Sequence, residues 1–194
     1  MIHYYTNREI SEKLEINLAR WKRWSRSFLP PDPLGGMQSG YARQYAFKDL
    51  FKVYLGGYLL SHLKLSVSDS LHVLTDLTPW LKKNGFFDLN GATVSAAGKA
   101  GKLDGYRIFF CPVRTAGVKN GSGLRYLIRK TVRIQFGESA TCLQTTETYE
   151  ETLIHSDNAS GSVLLDDPDV HMINLSALIA VLVHKLQHSP STSG

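Results

Sequence analysis

Residues 17–45 read NLARWKRWSRSFLPPDPLGGMQSGYARQY, and the organisation of the chain is read outward from them. Helical spacing puts Leu18, Trp21, Trp24 and Phe28 on one face with the small Ser25 among them. Arg23 and Arg26 point the other way, flanked by Arg20 and Lys22. The pattern predicts an amphipathic helix with one face to pack and one cationic face for an anion. Asn17 is placed to cap its start. Pro30 biases Leu29 away from helical angles, so the helix must stop there. The segment PPDPLGGMQSG holds three prolines and three glycines in eleven residues and reads as a turn. Residues 41–45 follow as a short returning strand that carries Arg43.

Toward the N-terminus, Asn7 is expected to cap a short helix of Ile10, Leu14 and Ile16 that ends near Glu15. Beyond the turn, Phe47 to Leu63 resumes helical spacing, with Gly56-Gly57 as a local weakness or a close-packing site. Ser66 and Asp69 resemble a capping box. The helix they open is expected to bury Val67, Leu71, Leu74 and Leu77 or Thr78, and to run past Pro79 as far as Asn84-Gly85. Residues 85–105 are rich in glycine and small side chains and read as a linker, with a short strand at 92–96.

The period then changes. Residues 106–113, 124–136 and 141–154 alternate or are rich in β-formers, and predict strands. A hairpin loop over 113–124 and a short strand at 163–165 complete the set. Asn174 caps a last helix ending near Gln187, whose stripe is Leu175, Leu178, Leu182 and Leu186. That stripe either pairs two copies of the chain or packs on the sheet. The expected organisation is α+β: a helical domain over 1–84, the linker, a β-rich domain over 106–188 with the C-terminal helix, and a disordered tail over 189–194.

Charge separates the two halves. Residues 1–84 hold 12 Lys and Arg against 7 Asp and Glu, while 85–194 hold 10 against 10. The whole net charge of +5 therefore lies in the helical half. This argues against a general polyanion binder and for one nucleic-acid module joined to a module with another task. No apolar run approaches the ~18 residues of a membrane span, and no secretory signal is visible. A cytoplasmic, nucleoid-associated protein with no membrane partner is expected. Cys111 and Cys142 are far apart and read as two thiols rather than a staple.

The order of short motifs carries a resemblance. Tyr5-Thr6 precedes the first helix, and Trp21-Lys22-Arg23-Trp24 lies within the second. Leu29-Pro30-Pro31 follows, then Ser39-Gly40-Tyr41-Ala42-Arg43-Gln44-Tyr45, Phe47-Lys48-Asp49-Leu50 and Leu65 to Asp69. From Tyr5 to Leu77 the chain thus resembles the MerR family of bacterial transcription regulators. The resemblance implies an N-terminal winged helix-turn-helix that binds promoter DNA as a dimer at a near-palindromic site and twists or bends it. It departs from the family pattern in a wing longer by one residue, in Asn17 for the usual Ser or Thr cap, and in Ser25 where an acid is usual.

Chemistry and resemblance give the same DNA-binding set: Arg20, Lys22, Arg23, Arg26, Tyr41, Arg43 and Tyr45. The helix cations pair with phosphates, and one or two of them reach base edges. Arg43 grips a neighbouring phosphate, with the flanking tyrosine hydroxyls adding hydrogen bonds. About six phosphates neutralised per dimer would make affinity fall steeply with salt. The C-terminal domain is expected to hold a homodimer together or to sense a small-molecule effector.

Catalytic signals are poor. Gly98 to Lys102 lacks the spacing of a phosphate loop. His184 and His188 have no third ligand nearby. Glu147, Glu150 and Glu151 read as an exposed acidic patch. A non-enzyme without metal or cofactor is expected. Two alternatives stand beside it: an architectural or phage-type DNA-binding protein without effector, and an enzyme with its site in residues 103–187.

Overall fold

The computed structural model describes residues 3–32, 42–89, 105–112, 124–136, 144–155 and 168–187. They form a mixed α+β structure with two antiparallel sheets. The chain divides into two compact units, one holding Met1–Thr93 with Ile179–Gly194 and the other Val94–Leu178. The expected strands at 92–96 and 163–165, the loop over 113–124, the tail, Cys142 and most of the linker lie outside the described residues.

The first unit opens with a two-residue strand, β1 (Tyr5–Thr6), paired antiparallel with β2 (Gln44–Tyr45). Helix α1 (Asn7–Leu14) is capped by Thr6 and not by Asn7 as expected. The Glu9 amide donates to Thr6 Oγ1 at 3.3 Å, and the Thr6 amide donates to Glu9 Oε2 at 2.7 Å. This reciprocal capping box satisfies two end donors at once, which leaves the Asn7 side chain free for another partner. Glu15 ends the helix with a left-handed φ of 56°.

Helix α2 (Leu18–Phe28) follows within three residues. As expected, Asn17 caps it, its Oδ1 accepting from the amides of Ala19 at 3.0 Å and Arg20 at 3.2 Å. Leu29 is extended, with ψ 153°, before Pro30. Trp21 and Phe28 are buried as predicted, and so is Ser25. Leu18, expected on the packed face, is 37% exposed because the first helical residue overhangs the core.

Helix α3 (Phe47–Ser61) supplies the surface on which α2 rests. A Cβ on Gly57 would lie 2.2 Å from Trp24 Cε3, and one on Gly56 would lie 2.7 Å from the Phe28 ring. The glycine pair is a close-packing site, and two aromatic side chains of α2 occupy the space its missing side chains leave.

Helix α4 (Val67–Lys83) is capped by Ser66, whose Oγ accepts from the Asp69 amide at 3.0 Å. It passes through Pro79 and ends at Asn84, with Gly85 at φ 75°. Its buried line is Ser70, Val73, Leu74, Leu77 and Leu81. The expected Val67 and Leu71 are exposed, since the face is rotated toward Ser70 and Val73.

In the second unit the strands β3 (Gly105–Pro112), β4 (Leu124–Phe136), β5 (Gln144–His155) and β6 (His171–Asn174) form one sheet in the order β5-β4-β3-β6. Three of these lie where the alternation predicted them. The four-residue β6 had no pattern to reveal it. The expected acidic patch is partnered: Glu151 pairs with Arg129 at 2.8 Å and Glu150 lies 3.5 Å from Lys130 across the β4–β5 register.

Helix α5 (Leu175–Gln187) starts directly from β6, with Asn174 Oδ1 accepting from the Ala177 amide at 3.0 Å. The Tyr106 amide donates to Ser176 Oγ at 2.9 Å, which ties the first turn to β3. From Ile179 onward the helix belongs to the first unit. There Lys13 Nζ donates to the Leu186 carbonyl at 2.9 Å, satisfying an end acceptor of α5, and Lys185 pairs with Glu15. Leu175, Leu178, Leu182 and Leu186 are all buried within this one chain, so the stripe considered for dimer pairing is core. Among the described residues no helix is long and apolar enough to cross a membrane.

Two expectations follow. Gly57→Ala should destabilise the chain by about 1–3 kcal/mol, because Trp24 must leave its rotamer or α2 must shift. Denaturant unfolding measures this, with Ser68→Ala on an exposed position as control. The second concerns acid. Glu9 is held below the usual carboxylate range by hydrogen bonds from the Thr6 amide and then its hydroxyl, and Glu15 by the hydrogen bond and then the charge of Lys185. A depressed folded value stabilises above the ordinary carboxylate range, and that contribution is lost as pH falls through the depressed value. The stability difference between the native sequence and Glu9→Gln/Glu15→Gln should therefore be full near neutral pH and shrink progressively as the pH is lowered below the ordinary carboxylate value of about 4.3.

Candidate nucleic-acid interface

The packed face of α2 determines where its cations point. Trp21 is fully buried, Trp24 and Phe28 lie against α3, and the opposite face carries Arg20, Lys22, Arg23 and Arg26, all exposed. Arg26 Nε donates to the Lys22 carbonyl at 3.3 Å, which lays its guanidinium back along the helix. No carboxylate neutralises any of the four among the described residues.

Arg43 enters from the segment leading into β2. Its Nη2 donates to the Pro30 carbonyl at 3.0 Å, and its Cζ lies 5.6 Å from the centroid of the Tyr45 ring. The guanidinium is thus held on one edge by a carbonyl and on one face by a ring, with its remaining donors unassigned. It is half-buried, unlike the helix cations.

These pieces enclose an open groove of about 680 Å³. Lys22 and Arg26 line it from α2, Pro30 from the segment after the helix, and Arg43 and Tyr45 from the other side. Asp32 is the acid in its wall. Three cations and one carboxylate leave the groove electropositive, and its walls include amide, hydroxyl and apolar surface. Arg20 and Arg23 stand on α2 outside the groove.

Of the expected DNA-binding set, the structure brings together Lys22, Arg26, Arg43 and Tyr45. Tyr41 lies outside the described residues. Tyr45 requires a correction, because it is only 1% exposed and its hydroxyl is already committed. That hydroxyl donates to Asn7 Oδ1 at 2.7 Å and is 2.8 Å from Ser25 Oγ. It therefore has no capacity for a phosphate, and its ring packs edge-on to Trp21 at 5.6 Å.

Sequence reading missed Asn7 and Ser25 as partners of that hydroxyl. The signal was present for Ser25: a hydroxyl on the buried face of a helix must find a partner. Two further lysines, Lys48 and Lys52, lie 5.8 and 5.5 Å from the Phe87 ring centroid. Burial lowers the Lys52 pKa, and the neighbouring Lys48 charge lowers it further.

No protein-family model matches the chain, and a search of curated proteins finds no matching sequence. The functional reading therefore rests on the residues themselves.

Arg20, Lys22 and Arg23 are exposed, and among the described residues no ion pair holds them. Single Ala replacements of Arg20, Lys22 and Arg23 should each change stability by less than about 0.5 kcal/mol, as measured by thermal unfolding.

Proposed function

We propose that this chain is a sequence-specific DNA-binding transcriptional regulator, with the first unit acting as a winged helix-turn-helix of the MerR type. The observation that carries the reading is the convergence of Lys22 and Arg26 from α2 with Arg43 from the opposite wall of one groove. Helix α2 has eleven residues, about 16 Å of length, and its outward face carries only polar and small side chains beside the cations. A major groove about 12 Å wide accepts a helix of that kind. Arg20 and Arg23, outside the groove, are left for base edges, while Lys22, Arg26 and Arg43 bind backbone phosphates.

On this reading α1 and the β1–β2 pair carry α2 and Arg43 as a single piece. Two copies of the chain bind a near-palindromic site, and the sheet unit either supports the dimer or responds to a small molecule. The concentration of positive charge in the helical half agrees with a duplex-binding module joined to a neutral one.

The experiment is selection of bound duplexes from a random-sequence pool. A two-fold repeat whose half-sites lie about one helical turn apart, roughly 34–36 Å, is expected for a dimer. Arg23→Ala/Arg43→Ala should weaken binding of the selected duplex by about a hundredfold or more at about 0.15 M salt, with the circular dichroism spectrum unchanged. Equal binding by the folded double variant would refute the assignment.

A further inference from the structure

We propose that Tyr45 is a positioning residue for this interface: its hydroxyl fixes the Arg43 guanidinium relative to the cations of α2. The inference rests on the DNA-binding reading above.

Three sets of contacts pin the Tyr45 side chain. Its backbone is held in the β1–β2 pair opposite Tyr5, and its ring packs edge-on to the buried Trp21. At the far end the hydroxyl gives its one proton to Asn7 Oδ1 at 2.7 Å, so Ser25, at 2.8 Å, donates to the phenol oxygen. One oxygen therefore joins the first residue of α1 to the middle of α2. The ring is held at both ends, and the Arg43 guanidinium covers one of its faces, with Cζ 5.6 Å from the ring centroid.

The geometry makes the hydroxyl a ruler. Ser25 lies three residues after Lys22 and one before Arg26 on the same helix, and both of those cations line the groove that Arg43 faces. A bond from Ser25 to the side chain beneath Arg43 fixes the phase of α2 against Arg43, and so fixes the spacing of the charges. The Pro30 carbonyl holds the other edge of the guanidinium, at 3.0 Å from Nη2. An arginine ordered before binding does not lose that freedom when a phosphate arrives, which raises affinity without adding a contact. Tyr45 itself never touches the duplex.

The test uses the full chain and the duplex recovered from the random pool. Tyr45→Phe keeps the ring and removes the hydroxyl, and should weaken binding about tenfold, the size of a lost buried hydrogen bond. The slope of log affinity against log salt should become shallower by about two, as one phosphate contact loosens in each of the two bound copies. Adding Tyr45→Phe to Arg43→Ala should cost nothing more, because the first acts through the second. A purely structural tyrosine would lower the melting temperature, leave the salt slope unchanged and add its full cost to Arg43→Ala. Either the unchanged slope or the additive double variant overturns the proposal. Should Tyr45→Phe not fold, Ser25→Ala breaks the same bridge and is read against the same two outcomes. A native chain that binds no duplex from the pool overturns the DNA reading itself, which is distinct from a chain that binds and ignores Tyr45→Phe.

Discussion

The close contact between α2 and α3 at Gly56-Gly57 is the constraint on which the helical unit depends. Two consecutive residues without side chains, buried in mid-helix, let the rings of Trp24 and Phe28 approach the α3 backbone. Glycine in a helix interior costs about 1 kcal/mol relative to alanine. Here that cost is offset by burial of two large aromatic surfaces, which at ~25 cal/mol per Å² of apolar area outweighs it. The consequence is directional. Once Trp21, Trp24 and Phe28 face inward, Arg20, Lys22, Arg23 and Arg26 have no choice but to face water, and the cationic surface is a by-product of the packing.

A second layer of control is polar. Apolar contact fixes the side of α2 that is buried but tolerates small rotations, whereas a hydrogen bond of 2.8 Å does not. The Asn7–Tyr45–Ser25 chain joins α1, β2 and α2 through one oxygen. In the second unit, electrostatics works in the opposite way. Arg129 is stacked between Phe109 and Tyr149 and paired with Glu151, Lys130 faces Glu150, and the register also sets Arg133 opposite Glu147. Arg129 and Lys130 thus meet carboxylates across the sheet. In the helical unit Arg8 pairs with Glu12 and Lys185 with Glu15, whereas among the described residues no such pair holds Arg20, Lys22, Arg23 or Arg26.

Elements with strong local signals were legible in the sequence. Asn17 and Pro30 bound α2 because a cap and a proline act on their own neighbours, and the same holds for Ser66 with Asp69 and for the alternation of β4. What could not be read depends on residues distant in the chain. Strand β1 is two residues long and exists only because β2, some forty residues later, pairs with it; a two-residue run has no period. The rotation of α4 that exposes Val67 and Leu71 and buries Ser70 is set by packing within the unit, and a hydrophobic stripe defines such a face only to within about one position. At the candidate site, the cations of α2 and Arg43 were legible from type and spacing. The role of Tyr45 was not, since a tyrosine beside an arginine reads equally well as a surface contact or as a buried support.

The chain order of α5 has a consequence for synthesis. Residues 179–187 belong to the helical unit, yet they follow every strand of the larger sheet. A ribosome adds about 5–20 residues per second, so the stretch between Thr93 and Ile179 takes on the order of 5–15 s to make. Throughout that interval the nascent α1 has neither Lys185 for Glu15 nor the Leu186 carbonyl for Lys13. The helical unit, begun before the sheet unit, is completed after it.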